Sequence, residues 1–91
     1  MSLDDPELRQ HKLDDIREGL QTGRLSLGTG VRRLRRDITG LTQADFARMA
    51  RISLRTLRQL EQDEGNPTLA TLQAVFRPFG LGMGVVPLKR Q

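Results

Sequence analysis

TQADFARMARISLRTLRQLE, Thr42 to Glu61, decides how the chain is read. It divides into two short helical patterns around a tight turn at Arg51-Ile52. Thr42 can cap the first helix, and with Asp45 three residues on it forms a capping-box pattern with Asp in place of Glu. Phe46, Ala47 and Ala50 give that helix its apolar side. Ser53 can cap the second, where Leu57 and Leu60 face inward. Two helices that cross closely need a small residue at the contact, and Ala47 is placed for it, with Leu57 as the bulky anchor facing back. The outward positions of the second helix are then Ser53, Leu54, Arg55, Arg58 and Gln59. A helix with long polar side chains near its N-terminus fits the major groove of B-DNA. Arg can bond guanine O6 and N7 together, Gln can do the same with adenine, and Leu54 would meet a thymine methyl. Exposed Arg and Gln are also ordinary on a surface helix, so the reading rests on the whole unit.

Charge points the same way. The 91-residue chain carries a net +4, unevenly spread. Residues 1–23 hold six acidic and three basic side chains; residues 24–58 hold nine arginines and two aspartates; residues 59–91 hold three of each sign. A localised basic field is the footprint of a polyanionic partner, although a solvated basic face would look similar. The chain has no cysteine, tryptophan or tyrosine and three phenylalanines. Disulfides and thiolate metal sites are excluded, and stacking on single-stranded bases is poorly supported. No signal peptide or membrane-spanning run is visible, so a cytoplasmic protein is expected. The length predicts one domain with a modest core, for which association with a second copy would help.

Before the central stretch, residues 1–5 are expected to fray. Asp5 and Pro6 read as a cap and first helical position, predicting an acidic, peripheral helix from Pro6 to about Thr22, ending near Gly23, with Leu13, Ile16 and Leu20 on a narrow stripe. Ser26 can cap a second helix with Leu27, Val31, Leu34 and Ile38 on one face and Gly40 as its stop. Gly28-Thr29-Gly30 is not read as a phosphate loop, because no strand precedes it and the rest of such a motif is missing. After the central stretch, Thr68 caps a helix carrying Leu69, Leu72, Val75 and Phe76, which Pro78 stops. Leu81, Met83 and Val85 alternate with Gly82 and Gly84, predicting a short strand. A single strand leaves its backbone groups unpaired, and pairing with the same strand of a second copy across a two-fold axis would satisfy them. The alternative is an unpaired tail. Pro87, Lys89 and Arg90 then make a basic end.

Gly40–Ala47 (GLTQADFA) followed by Ile52–Glu61 (ISLRTLRQLE) resembles the helix-turn-helix of lambda-repressor/Cro-type regulators, the XRE family. The likeness covers roughly residues 27–80. It implies an all-α, lambda-repressor-like bundle, here with an extra N-terminal helix and one short C-terminal strand pairing across a homodimer, and a palindromic operator. The organisation would be an acidic N-terminal arm at residues 1–25, a DNA-binding domain at 26–80 and a dimerisation tail at 81–91. By position, Leu54, Arg55 and Gln59, with Ser53 beside them, match base-reading positions. Gln43 matches a phosphate-contacting residue that braces the reading helix, and Thr42, Arg51 and Arg58 join it as phosphate contacts. Three features depart from the pattern. Arg51 stands where glycine is frequent and requires a left-handed turn. Leu54 occupies a position that is usually polar. The connection between the first helix of the bundle and Gly40 is one residue longer, so either Arg35 or Arg36 could supply the arginine that pairs with Glu61. Residues 66–86 further resemble HipB-type antitoxins, which implies an autorepressor that binds a HipA-like kinase toxin.

No cofactor or metal is expected, because nothing forms a ligand cluster or a nucleophile with a base beside it. His11, the only histidine, lies outside the motif and reads as surface. An RNA binder would want more aromatics. The competing class is a protein-binding adaptor that keeps the fold without reading DNA; the arginines on the outward face of residues 53–59 argue against it.

Overall fold

The computed structural model describes residues 5–88. The expected fraying at residues 1–4 and the basic end at Lys89 and Arg90 lie outside them. Each helix begins where a side-chain oxygen can take up its free backbone N–H groups. Asp5 caps α1 (Pro6–Thr22), accepting from the N–H groups of Glu7 and Leu8, and Gly23 in the left-handed region closes it. Ser26 caps α2 (Leu27–Arg33), which continues without a break as a π-helical turn over Leu34–Thr39. Thr42 caps α3 (Gln43–Ala50), Ser53 caps α4 (Leu54–Glu61) and Thr68 caps α5 (Leu69–Phe76). A 3-10 turn, Arg77–Phe79, follows at Pro78. Among the described residues the fold is all-α with five α-helices.

The capping box at Thr42 is half formed. Thr42 Oγ1 accepts from the Asp45 N–H at 3.1 Å, but the Asp45 carboxylate pairs with Arg48 at 3.1 Å. Asp is one methylene shorter than the Glu of a full box, and the salt bridge one helical turn away is within its reach.

The core lies where α2, α3, α4 and α5 meet. Val31, Leu34, Phe46, Leu57 and Val75 are fully buried, and Phe46 stacks on Phe79 with ring centroids 6.2 Å apart. Helix α1 belongs to this core and is not peripheral: Ile16 is fully buried, with Leu13 and Leu20 packed against the cluster. Close approach makes the narrow stripe sufficient. A Cβ added at Gly30 would come within 2.5 Å of Leu20 Cδ2. The Gly28-Thr29-Gly30 stretch is therefore a helix-packing feature. On its other side a Cβ at Gly28 would strike the Leu60 carbonyl of α4.

The helix widens into a π turn before Gly40. The Gly40 N–H donates to the Arg35 carbonyl at 2.8 Å, a five-residue span in place of the α-helical four. Thr39 Oγ1 donates to the same carbonyl and accepts from the Leu41 N–H at 3.1 Å, tying down the wide turn.

Among the described residues there is no strand. Residues 81–88 carry no regular structure, and the Leu81 N–H bonds back to the Phe76 carbonyl at 3.2 Å. Leu81 is partly buried against the core, whereas Met83 and Val85 are exposed. A strand needs a second strand to bond to, and one copy of the chain offers none.

Because Ile16 packs at full burial, Ile16→Ala should destabilise the fold by about 2–5 kcal/mol. Equilibrium denaturation would measure this. A loss below about 0.5 kcal/mol, typical of surface sites, would return α1 to the periphery.

Candidate nucleic-acid interface

Helices α3 and α4 meet at a turn whose backbone is set by Arg51 at φ 58°, ψ 43°. Its N–H donates to the carbonyls of Ala47 and Arg48, and the Ile52 N–H donates to Ala47 O at 3.0 Å. A left-handed residue costs roughly 1–2 kcal/mol when it carries a Cβ. Ala47 and Ala50 on one side of the turn and Leu57 and Leu60 on the other are all buried in the same core cluster.

Helix α4 is locked from behind by a buried ionic network. Glu61, at its last position, is 3% exposed and Arg35 is 12% exposed in their side chains. Arg35 Nε and Nη2 donate to the two Glu61 oxygens at 2.6 and 3.0 Å, so Arg35 is the partner and Arg36 is not. Arg35 Nη1 donates to the Leu41 carbonyl at 3.1 Å. Gln43 Nε2 donates to Glu61 Oε1 at 3.0 Å, while its Oε1 accepts from Arg58 Nε at 3.5 Å. Gln43 thus links the buried pair to the exposed Arg58.

A second clamp, not visible in the sequence, comes from Asp63 just after α4. Its Oδ1 accepts from the Gly28 N–H at 2.8 Å and its Oδ2 from Ser26 Oγ at 2.7 Å, joining the end of α4 to the start of α2. Asp63 takes a positive φ of 55° to do so. An aspartate in a polar loop is too common for this contact to be found without coordinates.

The predicted outward face of α4 is only partly exposed. Arg55 and Arg58 are exposed, and Leu54 is half-buried. Gln59 is also half-buried, its side chain close against Gly65. The Ser53 hydroxyl is occupied locally: it accepts from the Thr56 N–H at 3.0 Å and donates to Thr56 Oγ1 at 2.7 Å. Thr42 and Gln43 stand at the start of α3, and Arg51 is exposed in the turn.

Ion pairing sorts the nine central arginines. Arg24 pairs with Asp15 and Glu18, and Arg33 with Asp15 and Asp37. The hydrogen bond that Arg24 Nη2 donates to Glu18 Oε2 holds the guanidinium's pKa above its ordinary value. Arg35 and Arg48 are paired as described. Among the described residues, no carboxylate lies within ion-pair distance of Arg32, Arg36, Arg51, Arg55 or Arg58. Three of these five, Arg51, Arg55 and Arg58, belong to the helix pair. The acids of α1 offset positive charge away from it. The described residues contain no metal-binding cluster of His, Cys, Asp or Glu, and none of their helices is long and apolar enough to cross a membrane.

A capped helix, a left-handed turn over a buried alanine and a second helix showing unpaired arginines make up a helix-turn-helix, the class of unit that inserts a helix into DNA. The chain belongs to the helix-turn-helix family HTH_3, of the XRE/Cro type, which matches residues 31–86. It is accordingly a DNA-binding transcriptional regulator of a non-enzymatic family. No curated protein and no solved structure matches the chain. Helix α1 and the start of α2 lie outside the matched span.

Removing one side of a buried ion pair strands the other, so Glu61→Ala should cost about 3–5 kcal/mol. Arg24→Ala, at a solvent-exposed pair, should leave the unfolding midpoint nearly unchanged. Chemical denaturation of both variants tests this; equal effects would contradict the buried network.

Proposed function

We propose that the protein binds double-stranded DNA as a homodimer on a palindromic operator, with α4 in the major groove. Arg55 reads guanine by paired hydrogen bonds, Gln59 reads adenine, and Leu54 contacts a thymine methyl, with Ser53 beside them. Thr42 and Gln43 at the start of α3, with Arg51 and Arg58, contact phosphates. The observation that carries this reading is the sorting of charge: among the described residues, Arg51, Arg55 and Arg58, like Arg32 and Arg36, stand without carboxylate partners while Arg24, Arg33, Arg35 and Arg48 are neutralised. Gln43 supports it, because its side chain is bound on both ends and holds Arg58 against the same edge.

One copy reads one half-site, and two reading helices enter successive major grooves about 34 Å apart. The dimer contact is assigned to Leu81, Met83 and Val85, whose segment leaves Met83 and Val85 uncovered in the single chain. On the likeness of residues 66–86 to HipB-type antitoxins, the operator lies before the protein's own reading frame, and a HipA-like kinase toxin encoded beside it is the partner. The protein works in the cytoplasm. A neighbouring frame that encodes no kinase would leave a general regulator in place of an antitoxin.

Arg55→Ala should weaken operator binding by roughly 1–3 kcal/mol and relax preference at one position of each half-site. Binding measured on a panel of single-base operator variants checks this. Equal weakening on every sequence would rule out base reading by Arg55. Arg51→Gly separates stability from binding. It relieves the left-handed strain and should raise stability by up to about 1 kcal/mol, while lowering the slope of log affinity against log salt by about 1. An unchanged slope would remove Arg51 from the phosphate contacts.

A further inference from the structure

Helix α1 and the segment after Gly80 border an open groove of about 370 Å³. Leu20 of α1, Leu27 of α2, Phe76 of α5 and Leu81 and Met83 of the segment make its walls apolar. Two bonds hold the start of the segment in place. Arg17 Nη2 donates to the Phe79 carbonyl at 2.9 Å, and the Leu81 N–H donates to the Phe76 carbonyl at 3.2 Å. Gly82 and Gly84 also border the groove, and this stretch of wall puts no side chain into the space. Among the described residues, Arg17 is the only charged side chain on the groove. It is half-buried, no described carboxylate lies within ion-pair distance of it, and its Nε is buried without an acceptor. Arg24 and Arg33, which reach α1 from outside, both have carboxylates there; Arg17 has a neutral carbonyl.

We propose that this groove binds an organic acid with an apolar body, its carboxylate meeting Arg17. A guanidinium keeps its charge when partly buried, and a charge withdrawn from water is costly until an opposite charge meets it. Phe79 supplies one neutral acceptor; the ligand's carboxylate supplies the anion. Apolar walls with a few polar groups that fix orientation are the make-up of small-molecule sites, and the volume falls within their range of about 300–1,000 Å³. Leu27, 39% exposed, and Met83, 38% exposed, would lose water against the apolar body. The groove suits neither a sugar nor a nucleobase, because Gln21 is its one other long polar side chain. Arg17, Leu20, Gln21 and Leu27 all precede residue 31, so this wall belongs to the present chain and not to the matched family unit. The inference depends on neither the DNA reading nor the dimer.

Isothermal titration calorimetry of the full chain with decanoate, kept below its micelle concentration, should show saturable binding. Decanol has the same carbon chain and no charge. It should bind about tenfold or more weakly than decanoate, the scale of one charge-assisted hydrogen bond. Arg17→Gln should bring decanoate down to the affinity of decanol. Arg17 also ties the segment to α1, so a second variant leaves that tie intact. Leu27→Glu places a carboxylate at an exposed position on the groove; it should melt as the parent does and weaken decanoate more than decanol. No saturable binding, equal affinities for the two ligands, or a Leu27→Glu chain that binds decanoate as the parent does would each overturn the assignment.

Discussion

The carboxylate of Glu61 is the constraint on which the reading face depends. It ends α4 and is withdrawn from water, so its charge must be met by donors held in place. Arg35 meets it from the helix before and Gln43 from the first turn of α3. Three helices therefore share one anion, and the relation of α4 to α3 is set by hydrogen-bond geometry as well as by apolar packing. Gln43 carries the arrangement outward to Arg58. Asp63 adds a second tie from the end of α4 to the start of α2. The helix that faces outward is thus held along its inner side and at its end, which suits a rigid reader whose side chains must meet base edges in register.

Electrostatics divides the labour between the two ends of the chain. Asp15 and Glu18 of α1 draw in Arg24 and, through Asp15, Arg33. Positive charge that would otherwise surround the molecule is offset on the side of α1. On the helix pair, Arg51, Arg55 and Arg58 keep theirs. The N-terminal helix thus shapes the field.

What the sequence showed follows the range of the interactions involved. Caps at Asp5, Ser26, Thr42, Ser53 and Thr68 are local: each oxygen bonds an N–H two or three residues on, so the residue types announce the helix starts. The left-handed turn at Arg51 was legible only through the resemblance, in which glycine is frequent at that position. Long-range contacts were not legible. The depth of α1 is decided by how near Gly30 lets Leu20 come, and a three-residue stripe does not report that. The choice of Arg35 over Arg36 depends on where the wide turn falls. The pairing of Arg24 and Arg33 with Asp15 joins separate helices, so the total charge was readable but its free portion was not. The tail was legible as apolar and alternating, but one chain gives its backbone nothing to bond.

The π turn at Leu34–Thr39 has a bearing on the phase of this helix. An added residue in a continuous α-helix rotates everything after it by about 100°, which would swing the downstream side chains off their partners. Here one turn, Leu34–Thr39, is wound wide. Val31 upstream and Leu34, its first residue, face the core, and Gly40 downstream closes the helix ahead of Thr42. The wide turn therefore sets the phase between the two ends of this helix, from the core-facing Val31 to the closing Gly40.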